Sequence, residues 1–206
     1  MGRTSEAKRK ILTVAHALIE QRGYTALGVA EICRAAEVPK GSFYHFFESK
    51  ESLALAVIDE HWAAEQRDWM RILSSDADPL ERLRTLFEET EGEQRAGQKS
   101  CGTVQGCMLG NLSLELSNQA DAVRARLQEI FESQTDMVES VIVEARERGE
   151  ATVKDTRATA RSVVAQLEGQ VLFAKLYNDP SRLSAVWPNC LALLGAGVLQ
   201  AGPAGS

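Results

Sequence analysis

Apolar residues recur at three- and four-residue intervals along almost the whole chain, and no segment alternates with the two-residue period of a half-buried strand. That pattern predicts an all-α protein. A first helix is expected over residues 4–21, with Ile11, Ala15, Leu18 and Ile19 on one face, Thr4 or Ser5 as its cap and Gly23 as its stop. Two short helices follow within 27–53. Val29, Ile32 and Cys33 sit on the first, the turn Glu37-Val38-Pro39 separates them, and Lys40 to Phe47 makes the second. A long fourth helix starts near Ser49 and runs to about residue 73, where a polar stretch ends it and Pro79 opens the next.

The fifth helix is expected over 80–95, followed by an irregular Gly-containing patch at 97–106 that holds Cys101. A short apolar helix at 107–116 and a long amphipathic one from Asp121 to Gly149 come next. The last two, at 155–178 and 181–198, are more apolar, and Pro188 should kink or restart the second. Residues 201–206 (AGPAGS) read as a disordered tail.

Composition changes this picture little, but the distribution of charge changes it a good deal. The chain is 44% hydrophobic and 25% charged, and no apolar run approaches the ~20 residues of a membrane span. The N-terminus lacks the apolar core of a signal peptide, so no membrane association and a cytoplasmic location are expected. Although the net charge is −6, residues 1–50 hold eight Lys/Arg against five acids, while the remainder holds 15 against 24. A basic head on an acidic body suits nucleic-acid binding by the head alone, because phosphate attraction is screened within ~10 Å. The four cysteines (Cys33, Cys101, Cys107 and Cys190) include no CxxC pair, and no histidine is spaced to complete a zinc site. No metal and no cofactor are expected, and the thiols should be reduced.

Two short helices joined by a tight turn, the second basic and aromatic, form the arrangement that carries a recognition helix into a DNA major groove. Gly41 lets the backbone approach the groove wall. Lys40 and Ser42 can reach base edges or phosphates, and Tyr44 and His45 can turn polar tips to the phosphate backbone. Thr25 and Lys50 stand where phosphate anchors would be useful, whereas Phe43 and Phe47 read as core. Arg3, Lys8, Arg9 and Lys10 are weaker candidates for contacts from the N-terminal arm.

The residues Gly23, Tyr24, Thr25, Ile32, Val38, Lys40, Gly41, Ser42, Phe43, Tyr44, Phe47, Lys50, Glu51 and Leu53 together resemble the DNA-binding motif of the tetracycline-repressor (TetR) family. There are two departures. Glu37 stands at a turn position usually held by Gly, and Gly28 replaces the usual Ser/Thr cap. The resemblance implies a nine-helix homodimer that represses transcription from a palindromic double-stranded DNA operator. Residues 1–50 would form the DNA-binding domain and 51–200 the effector-binding and dimerisation domain, with the last two helices pairing the protomers.

The body carries less specific chemistry. Cys107 opens a helix within Gly106-Cys107-Met108-Leu109-Gly110-Asn111-Leu112, and a thiol at a helix N-terminus gains thiolate character. The stretch resembles a branch of the family that senses electrophiles and oxidants. Lys175, four residues after Val171 on an apolar stripe, either snorkels at an interface edge or reaches toward a pocket group. Trp69 and Phe131 head a set of possible pocket aromatics that also includes Trp62, Phe87, Phe173 and Tyr177. His16 and His61 carry no partner signal, and Cys33 and Cys190 read as core. Release by a reversibly bound small molecule, with Cys107 as mere lining, is the first rival. A helical thiol enzyme is disfavoured because no His or carboxylate sits at activating distance in sequence. An interaction module without DNA binding would leave the basic head unexplained.

Overall fold

The computed structural model describes the backbone of residues 2–196 and the side chains from residue 6 onward. Among the described residues there are nine α-helices, one 3-10 segment and no strand. They are α1 (Gly2–Arg22), α2 (Val29–Ala35), α3 (Lys40–Phe46), α4 (Lys50–Leu73), α5 (Pro79–Cys101), α6 (Met108–Leu116), α7 (Asp121–Glu147), α8 (Thr156–Tyr177) and α9 (Val186–Leu194). The 3-10 segment Pro180–Ala185 lies between α8 and α9. The described residues divide into two compact units, one of 2–64 with 108–129 and the other of 65–107 with 130–196.

In the first unit α1, α2 and α3 pack on one another. The i, i+4, i+8 face of α1 (Ile11, Ala15, Ile19) is buried, as are Ile32 and Cys33 of α2, Phe43 of α3, and Leu53, Ala54, Val57 and Ile58 of α4. The terminators behave as their chemistry requires. Gly23 adopts a left-handed φ of 78° and its N–H bonds the Ile19 carbonyl at 2.9 Å. Glu37 also takes a left-handed φ, 55°, so the turn before α3 holds a side chain where glycine would be unstrained. Gly28 caps α2 with no side-chain bond. At the start of α4, Ser49 Oγ accepts the Ser52 N–H at 3.0 Å while Ser52 Oγ accepts the Ser49 N–H at 3.1 Å, a reciprocal cap.

The second unit buries Trp69, Leu83, Leu86, Phe87, Val138, Val141, Ile142, Val163, Val164, Leu167, Val171, Leu183 and Val186 in one cluster. Cys190 is wholly buried there, and burial pushes its thiol up to about 12. Arg82 is buried too, donating to the Leu73 carbonyl at 2.8 Å and pairing with Glu144.

Two expectations about element boundaries need correction, and a third is sharpened. α1 begins at Gly2, so Thr4 and Ser5 lie inside the helix rather than capping it. α5 continues through the anticipated irregular patch to Cys101, because Gly97 is tolerated mid-helix and the stop is Gly102, left-handed at φ 82°. Cys101 is therefore the last residue of a helix and not a loop residue. The final helix is divided, as Pro188 suggested: a 3-10 segment ends at Ala185, and α9 restarts at Val186 with Pro188 in its first turn. Arg3's side chain, residue 198 and the 201–206 tail lie outside the described residues.

Candidate nucleic-acid interface and effector centre

α3 is a short helix with two unlike faces. Phe43 points inward with no exposed surface, and Phe47 just beyond the helix is buried against it, their rings 5.6 Å apart. Lys40, Gly41, Tyr44 and His45 are exposed, and Ser42 is half-buried. A Cβ built on Gly41 would meet nothing within 4 Å, so no packing inside the chain demands glycine there. Tyr44 keeps its body against Phe43, edge to face at 5.2 Å, and leaves more than half its surface in solvent. The outer face of α3 thus offers an ammonium, a hydroxyl, a phenol and an imidazole over bare backbone.

Thr25 and Lys50 lie elsewhere, at the corner between α1 and α2. Lys50 Nζ donates to the Tyr24 carbonyl at 2.6 Å and sits 3.9 Å from the Tyr24 ring centroid. Burial lowers the Lys50 pKa, and the nearby Glu115 carboxylate opposes that shift. Glu115, on α6, grips the same corner from its other side. Its carboxylate accepts the Tyr24 N–H at 2.8 Å and the Thr25 hydroxyl at 3.0 Å. Any Cβ on Gly23 would run into Glu115 Oε1. Gly23 is thus needed twice, for its left-handed φ and for the room it leaves the carboxylate. The part played by Glu115 was not legible in the sequence, since nothing in the local pattern connects it to a corner about ninety residues earlier.

The second unit holds a cluster of acids around a thiol. Cys107 is half-buried immediately before α6 and hydrogen-bonds Glu168 of α8. Burial raises the Glu168 pKa, and the bond to Cys107 works in the opposite direction. On α4, burial and then repulsion from Glu168 and Glu93 push Glu65 up to about 8. Trp69 is buried, while Phe131 and Cys107 lie partly buried against the same apolar cluster. Lys175 is exposed on α8. So are Leu172, Phe173, Leu176 and Tyr177, with the Phe173 and Tyr177 rings stacked at 6.4 Å and Arg182 over Tyr177 at 3.9 Å. None of the four cysteines is in a disulfide, and Cys101 is exposed. The Cys107–Glu168 contact was also missed from the sequence, which offered no acid or base near Cys107 along the chain.

Similarity to known proteins follows the same layout. Residues 11–57 match the family model of bacterial regulatory proteins of the tetR family, and residues 79–189 match that of the tetracyclin repressor-like C-terminal domain. The chain is 32% identical over 173 residues to an HTH-type transcriptional regulator from the lacX 3′ region of Lactococcus lactis, covering 84% of this chain and 85% of that one. It is 36% identical over 168 residues to the transcriptional regulator AcuR of Cereibacter sphaeroides, covering 80% and 74%. It superposes on the crystal structure of reduced Escherichia coli NemR with a TM-score of 0.80 and 26% identity, over 89% of this chain and 94% of that one. These relatives are regulators rather than enzymes, and the chain belongs to the TetR family of DNA-binding transcriptional regulators.

Proposed function

We propose that this regulator is a cytoplasmic homodimeric repressor that leaves a palindromic operator when an electrophile modifies Cys107. Residues 1–50 act as the DNA-binding domain and residues 51–200 as the effector-binding and dimerisation domain. Lys40, Gly41, Ser42, Tyr44 and His45 read the groove from α3, while Thr25 and Lys50 hold the corner beside the phosphate backbone. The exposed apolar face of α8, with Leu193 of α9, supports pairing of two protomers through the last two helices, because single-chain proteins seldom leave so many large apolar side chains together in water.

The observation that carries the sensing role is the Cys107–Glu168 hydrogen bond. Where ionised, a carboxylate with a raised pKa is a stronger base than an ordinary one. With an α,β-unsaturated carbonyl compound, the Cys107 proton passes to Glu168 and the sulfur electron pair forms a bond to the β-carbon. The C=C π pair shifts to give an enolate, which then takes up a proton. Sulfur, carbon and charge balance with no leaving group. Trp69 and Phe131 line the approach, and Lys175 lies at the edge of the dimer face. NemR, which this chain resembles, has been crystallised in a reduced form.

The test uses an operator selected from random duplex DNA by the purified protein. An α,β-unsaturated aldehyde should release the wild type and a Cys101→Ser variant, but not Cys107→Ser. Equal release of Cys107→Ser would end the thiol reading and leave reversible binding of a small molecule, with the protonated Glu65 as a hydrogen-bond donor to it.

A further inference from the structure

His16 and Glu20 lie one turn apart on α1, and His61 comes from α4. Packing brings the three together. His16 Nε2 is 3.0 Å from His61 Nδ1, His16 Nδ1 is 3.5 Å from Glu20 Oε2, and the rings are tilted 35° with centroids 5.3 Å apart. One donor atom from each residue can be chosen so that all three lie within 4.8 Å of one another. All three residues are half-buried. The geometry points to a transition-metal site of two imidazoles and a carboxylate, suited to Zn²⁺, that pins α1 of the helix-turn-helix module to α4.

The donor set excludes hard cations and selects for borderline ones. Two imidazoles with one carboxylate suit Zn²⁺, Co²⁺ or Ni²⁺, whereas Mg²⁺ and Ca²⁺ take oxygen ligands. Tetrahedral zinc at bond lengths of ~2.0–2.1 Å holds its ligand atoms about 3.3 Å apart. The His16–His61 edge already has close to that separation. Glu20 is about one-third exposed and can rotate through the remaining distance. Ligation takes a neutral imidazole from each histidine, and His16 Nε2 and His61 Nδ1 already face each other at 3.0 Å. From a neutral pair, the proton between the facing nitrogens moves to the far nitrogen of its own ring as the metal enters, so ligation of that pair needs no net proton release. The pattern was invisible in the sequence because 45 residues separate the histidines. The inference does not depend on the operator or on Cys107, and its failure would leave the proposed function untouched.

The experiment uses the full chain, stripped with chelator and titrated with Co²⁺ as a spectroscopic probe and then with Zn²⁺. The expected result is a visible d–d band without the thiolate charge-transfer band that cysteine ligation would give. Excess Zn²⁺ should raise the melting midpoint by about 5 °C or more at 100 times the Kd. His16→Ala, His61→Ala and Glu20→Gln should each weaken Co²⁺ binding by about tenfold or more, with helical content unchanged by circular dichroism. Glu20→Gln guards against misfolding, since its side chain is the most easily replaced of the three. Either of two results would overturn the site: no Co²⁺ band in the folded wild type, or unchanged affinity in folded Glu20→Gln and His16→Ala. A Co²⁺ spectrum dominated by thiolate bands would also overturn it, by assigning the ion to cysteine.

Discussion

Single side chains in this protein are tuned mainly by what is packed around them. Glu65 shows this most clearly. With a folded-state pKa pushed up to about 8 from an ordinary 4.5, it binds its proton more tightly in the folded than in the unfolded state. Its contribution is therefore complete below pH 4.5 and is lost as pH rises through about 8. Urea unfolding should show this contribution falling between pH 4.5 and about 8, by at most ~1.4 kcal/mol for each step of one in pH. Glu65→Gln should flatten that fall, while Glu168 and Glu93, which repel Glu65, remain. At Cys107 the proposed alkylation draws on the carboxyl of Glu168, to which the thiol is hydrogen-bonded. Glu168→Gln should slow alkylation of Cys107 by roughly tenfold, measured by mass spectrometry of the modified peptide, because a carboxamide cannot accept the thiol proton. An equal rate would remove Glu168 from the chemistry.

At the level of elements, the corner between α1 and α2 is held by side chains from two other helices, α4 and α6. Lys50 of α4 holds the Tyr24 carbonyl and Glu115 of α6 holds the Tyr24 N–H and the Thr25 hydroxyl. Glu115→Ala should cost about 1–2 kcal/mol in chemical denaturation, since two donors lose a charged acceptor. Gly23→Ala should cost more than its left-handed φ alone demands. In the Glu115→Ala background the excess should vanish, leaving ~1 kcal/mol. Additive costs would show that the carboxylate does not press on this glycine. α3 makes a separate test. Lys40→Ala should weaken operator binding with the fold intact and reduce the slope of log affinity against log salt by about one.

For the whole molecule, charge and apolar surface divide the labour along the chain. The first fifty residues are basic and the remainder is acidic, so DNA attraction is confined to the head. One short recognition helix offers few contacts, and pairing two heads multiplies them. The apolar face of α8 is available for that pairing, with Leu176 about two-thirds exposed. A Leu176→Glu, Phe173→Asp variant should sediment as a folded monomer and lose at least tenfold in operator affinity. A variant that remains dimeric would move the interface away from α8.

The order of helices, the recognition helix and the charge division were legible in the sequence because they are local properties. A 3.6-residue period, a proline at a helix start and a glycine at its end act within a turn or two, and no distant residue alters them much. The left-handed Glu37 stands where the family resemblance implies a glycine. Where local rules are balanced the reading slipped, as at Gly97, which α5 simply ran through. The tertiary structure alone decided which chemistry meets which. It put Glu115 under Gly23 and Thr25, brought Glu168 to Cys107, joined His16 to His61, and left Phe173 and Tyr177 outside. Such pairs have no period and no spacing. They are set by the angles at which helices pack, and those depend on the fit of every buried side chain at once.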